Sequence, residues 1–249
     1  MSKIICIALF TIGLVGVSSQ AMAASYSISP LVLVASPTDK ILTFRLTNTS
    51  QQVESIQVQV QRWQQVHGVD HYTRTFDLLP TPATATVKPH RSQYFRLGVR
   101  VPNHSTTMKA YRLFVRELPT QLIKTKVATS HGQLPDHMQA KMHVLLDVSL
   151  PILIQPKGPL KEQFTWYYQA LKGNDKYRIQ VRNTGNVVLK LSHIMIAGQN
   201  QLLADKPLLQ YLLPGATHQW VFTLKDAPKQ IIARVNGQKI RTDLAPMRG

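Results

Sequence analysis

Between Glu54 and Trp63 the chain alternates: Ile56, Val58 and Val60 fall on one side of an extended backbone, Gln57, Gln59 and Gln61 on the other. A period of two suits a half-buried strand and no helix. Strand-like stretches recur from Ile41 to Leu46, Tyr94 to Val101, Tyr111 to Leu118, Met142 to Ile154, Tyr177 to Val181 and Gln219 to Leu224, with Pro, Gly and Asn turn signals between them. Helical spacing has no comparable run. Short strands at this spacing predict an all-β chain built as sandwiches.

A weak internal echo predicts two copies of one sandwich. Leu46-Thr47-Asn48-Thr49-Ser50 resembles Val181-Arg182-Asn183-Thr184-Gly185, and Pro89 to Tyr94 is followed in the same order by Pro214 to Trp220, each a turn entering a strand with an aromatic near its start. The boundary is expected at the Pro/Gly cluster Pro156-Lys157-Gly158-Pro159. This gives two tandem immunoglobulin-like sandwich domains, 24–155 and 156–249. A hairpin is expected at Asn236-Gly237, a dipeptide suited to a two-residue turn. The stretch from Thr120 to Gln139 has no pattern and reads as a long loop.

Lys3, an apolar run from Ile4 to Val17 and a polar stretch ending in Ala21-Met22-Ala23 have the layout of a cleavable secretory signal over residues 1–23. The apolar run is too short to span a bilayer, and no later segment comes closer. The single cysteine, Cys6, lies inside that signal, so the exported chain is expected to rely on its cores rather than on disulfides. Lys and Arg outnumber Asp and Glu by 29 to 12. Such a balance favours acidic partners, but export and dispersed basic residues argue against nucleic acid.

No catalytic pattern emerges. The nine histidines include no helical zinc spacing, and His67 with His71, the closest pair, read as solvated side chains in a loop after Trp63. There is no nucleophile elbow, no phosphate-cradling Gly-rich loop and no plausible carboxylate pair. No enzyme and no cofactor are therefore expected. An exported hydrolase lacks a visible polar constellation. An adhesin or other immunoglobulin-like binding module remains the alternative.

In Ala140 to Pro156, Met142, Val144, Leu146, Val148 and Leu150 share one face, while His143, Asp147 and Ser149 share the other with Leu145. Periodicity alone favours an ordinary core strand. Its position, after a long loop and before a domain boundary, also fits an edge strand exposed for another chain.

With these residues together, the chain resembles the PapD-like periplasmic chaperones of chaperone–usher pili. The resemblance rests on a strand directly after the signal, ILTFRLTNTS at 41–50, a Pro-containing turn before YFRL at 94–97, and YRLFVRELP at 111–119 ahead of a long loop and an alternating strand. It implies a chaperone that lends Met142, Val144, Leu146, Val148 and Leu150 to an incomplete pilin subunit and delivers it to an outer-membrane usher in the periplasm. In the best-known branch an Arg and a Lys in the interdomain cleft hold the subunit's terminal carboxylate. The matching positions here are Val32 and Pro151, which bind no anion, so the chain is more similar to the archaic, Csu-type branch. That likeness implies Arg112 as anchor, with Arg116 beside it. Both share a strand face with Phe114 between them, and a guanidinium offers a two-pronged fork to a carboxylate.

Overall fold

The structure is a computed structural model and describes residues 26–119, 145–172, 175–199 and 201–247. The expected signal, the expected loop from Thr120 to Gln139, and Met142 and Val144 lie outside the described residues.

Among the described residues, the first sandwich holds β1 (Tyr26–Ser29), β2 (Leu33–Ala35), β3 (Ile41–Asn48), β4 (Glu54–Val66), β5 (Val69–Arg74), β6 (Leu78–Thr81), β7 (Thr84–Val87), β8 (Ser92–Val99), β9 (Lys109–Leu118) and β10 (Asp147–Ile154). One sheet runs β1-β3-β8-β6; the facing sheet runs β2-β10-β9-β4-β5, with β7 also paired to β4. The alternation in β4 turns Ile56, Val58 and Val60 inward, where they meet Leu113 and Val115 of β9 and a stacked pair, Phe44 and Phe95, with centroids 5.0 Å apart.

The second sandwich holds β11 (Phe164–Ala170), β12 (Lys176–Asn183), β13 (Leu189–Ala197), β14 (Leu202–Leu212), β15 (Thr217–Thr223), β16 (Gln230–Val235), β17 (Gln238–Asp243) and β18 (Ala245–Pro246). Its sheets run β15-β12-β11-β18 and β14-β13-β16-β17 around Trp166, Ile179, Leu189 and Ile194. Two parallel pairings, β2 with β10 and β11 with β18, lie at sheet edges, one in each sandwich.

The internal echo has a structural counterpart. Asn48 and Asn183 are fully buried at the ends of β3 and β12, and each donates two side-chain hydrogen bonds to backbone carbonyls and accepts one from the amide two residues on. Their own amides bond Arg91 and Ala216, in the two Pro-led turns that the sequence pairs. The second turn position in each is left-handed, His90 in one and Gly215 in the other.

One expectation needs correcting. The segment after Trp63 is no loop: β4 continues to Val66 and folds back through His67-Gly68, both at positive φ, so that His71 lies on β5. The turn has the backbone of the Asn236-Gly237 hairpin, which does join β16 to β17.

Candidate functional site

The outer face of the β2-β10-β9-β4-β5 sheet runs into the junction between the sandwiches. Trp63, Ala110 and Leu153 from the first pack with Val188 and Leu213 from the second in a small core of their own. This explains the burial of β10 on both faces near its end: Ile152 and Ile154 enter the first core, while Leu153 enters the junction. Clefts of about 820 Å³ and about 370 Å³ open at this junction. Val32, Leu153 and Tyr211 line the smaller one.

Arg112 stands on β9 beside this junction. Its guanidinium carbon lies 4.0 Å from the Trp63 ring centroid and 5.4 Å from that of Tyr211, which comes from the second sandwich. Stacking on an aromatic face stabilises a cation by about 0.5–2 kcal/mol. No carboxylate lies within ion-pair distance of Arg112 among the described residues, and its Nε is buried without a hydrogen-bond partner. Burial, and then the hydrogen bond to Asp70, push the Tyr72 phenol up, with Arg112 pulling against both. Burial also raises Tyr211, again opposed by Arg112. Tyr72 meets Phe114 edge to face at 5.6 Å, so aromatic groups bound the cation along β9.

Arg116 differs. It shares the face but donates from Nε to Asp147 at 2.8 Å, directly across the β9–β10 rung. Both partners are well exposed, so the pair contributes at most about 1 kcal/mol. Pro151 sits opposite Arg112 on the next strand and is buried.

β10 is bonded to β9 on one side along its length. On the other side β2 pairs only with residues 152–154, and among the described residues no strand takes the outer edge of 147–151. Leu146 and Val148 are partly buried against the first core, and Leu150 is 6% exposed. Asp147 and Ser149 face outward, as the alternation predicts. The backbone at the start of β10 is tied down by Glu117, which accepts from the Leu146 amide and donates its own amide to the Leu146 carbonyl.

Over residues 26–159, more than half of the chain, the sequence matches the family model for the pili and flagellar-assembly chaperone, PapD N-terminal domain. The chain belongs to the PapD-like pilus chaperones. No curated protein sequence matches it. Among solved structures the chaperone is similar to a chain of the CsuC-CsuE chaperone-tip adhesion subunit pre-assembly complex from the archaic chaperone-usher Csu pili of Acinetobacter baumannii. That likeness has a TM-score of 0.68 and 19% identity, and covers 90% of this chain and 100% of that one. It is also similar to a chain of the Salmonella enterica SafA pilin complex with the SafB chaperone, with a TM-score of 0.62, 12% identity, and 90% and 99% covered. The YadV chaperone gives 0.61 and 13%, with 88% and 98% covered. At such identities the likeness is one of fold: two immunoglobulin-like sandwiches.

Sequence reasoning placed Arg112 and Arg116 on one face but missed Trp63, Tyr72 and Tyr211 around the first of them. Trp63 and Tyr72 oppose each other across the unrecognised β4–β5 hairpin. Tyr211 arrives from the other sandwich, which no local pattern reports.

Proposed function

We propose that this pilus chaperone, exported to the periplasm by residues 1–23, captures pilin subunits on the β10 edge and hands them to an outer-membrane usher. The observation that carries the reading is that, among the described residues, the edge of 147–151 is unpaired and lies beside an arginine with no carboxylate in ion-pair reach. A strand added to that edge would satisfy its backbone groups there, and alternate side chains would fill its groove. Met142, Val144, Leu146, Val148 and Leu150 are the proposed donors, Leu150 standing at the inner end of the stripe where it already packs in the first core, on a domain taken as 24–155 with 156–249 as the second. Arg112 takes the subunit's terminal carboxylate. Arg116, already paired to Asp147, is secondary. An anchor on β9, with Val32 and Pro151 in place of cations, supports assignment to the archaic branch, and no nucleotide or metal enters the reading.

The test is co-expression with the cognate pilin. Arg112→Ala should cost about 2–5 kcal/mol of subunit binding and abolish co-purification, with the free chaperone still folded. Arg116→Ala should be milder. Normal capture by Arg112→Ala would remove the anchor from the reading.

A further inference from the structure

The amide of Gln65 joins the two sandwiches. Its Nε2 donates to Asp70 Oδ1 at 2.8 Å, across the β4–β5 rung, and to the backbone carbonyl of Tyr211 at 2.9 Å. Its Oε1 accepts from the Leu213 amide at 2.9 Å. One side chain thus grips the end of β14 on both sides of Leu212. Tyr211, held in this way, meets Trp63 in a T-shaped pair with centroids 5.6 Å apart, and lies against the Arg112 guanidinium.

We propose that Gln65 and Tyr211 are positioning residues for the anchor: Gln65 fixes the end of β14, and Tyr211 then closes an aromatic cage that holds Arg112 ready for a subunit carboxylate. This inference rests on the reading of Arg112 given above. A long arginine that, among the described residues, has no ion-pair partner has many rotamers to lose on binding, and its ordering entropy subtracts from affinity. Stacking against Trp63 on one strand and Tyr211 on the other restricts it before the ligand arrives. The cage draws one wall from each sandwich, so it exists only at one relative placement of the two. Gln65 sets that placement with hydrogen bonds rather than charge, which leaves the guanidinium's positive charge for the ligand.

The experiment compares two synthetic peptides of the cognate pilin's C-terminal strand, one a free acid and one a C-terminal amide, binding to the full chaperone. A charge-assisted contact makes the free acid bind about tenfold more tightly or better. Gln65→Ala and Tyr211→Leu should each shrink that acid-to-amide ratio to less than about threefold, while Tyr211→Phe, which keeps the ring, preserves it. A purely structural loss would weaken both peptides alike and leave the ratio unmoved. If Arg112→Ala erases the ratio but Gln65→Ala and Tyr211→Leu retain it, the positioning role is overturned and the anchor stands. If Arg112→Ala itself retains the ratio, the anchor falls and the cage with it. Should Gln65→Ala fail to fold, the contrast between Tyr211→Leu and Tyr211→Phe decides the matter.

Discussion

A buried primary amide is tolerated only when its donors and acceptor are used, and Asn183 uses all three. It gives Nδ2 to the carbonyls of Val187 and Leu212 at 2.7 and 2.9 Å, and takes the Gly185 amide at 3.0 Å. Truncation to Ala strands buried backbone groups with no water to replace the bond, so Asn183→Ala should destabilise by about 2–4 kcal/mol, read as a lower urea midpoint. Asn48→Ala should cost slightly less, because its Gln52 contact is only part-buried. The sequence echo pointed to both residues. It did not reveal Asn103, which fills a similar role for Thr107, Ile154 and Gln155 without any sequence counterpart. The hairpins divide in the same way. Asn236-Gly237 was legible because Asn-Gly is the dipeptide this turn favours most, whereas His67-Gly68 in the same conformation is a weaker signal.

At the scale of the element, the apolar stripe of β10 divides into two parts. Leu150 has almost no exposed surface and belongs to the first core, while Leu146 and Val148 pack on that core only in part. Leu150→Ala should therefore cost about 2–5 kcal/mol of stability. Leu146→Asp should leave the fold standing and eliminate pilin capture, since a carboxylate driven unpaired into an apolar groove is strongly unfavourable. A soluble Leu146→Asp protein that still recovers pilin from extract would contradict the donor role, and circular dichroism with co-purification separates the outcomes. Strands such as β4 and β9 were legible because one face is buried along much of their length. β14 was not: Pro207 interrupts it, its register shifts against β13, and it lies at a sheet edge, where proline is admitted and alternation decays.

Across the whole molecule, the β4–β5 hairpin reaches the second sandwich at His218, whose ring meets Trp220 at 4.6 Å. Burial lowers the His218 pKa, opposed by a hydrogen bond to the Gly68 backbone and by Asp70, and assisted by Lys206. With the folded pKa below the unfolded one, the unfolded chain takes up the proton first, so stability falls as pH drops below about 6.5. Between about pH 7.5 and about pH 5.5 the thermal midpoint of the native protein should fall further than that of His218→Gln. An equal fall in both would assign the acid sensitivity elsewhere. None of this contact was readable from sequence, since its partners lie in separate sandwiches. The same junction bears on how such chains can diverge. Trp63, Ala110 and Leu153 are buried against Val188 and Leu213 of the other sandwich, with Tyr211 and Ala216 packed alongside, so neither sandwich has a finished end of its own. Recombination within Pro156-Lys157-Gly158-Pro159 would join a strange half to an unmatched apolar surface, and a viable chimaera must inherit both sides of the seam together.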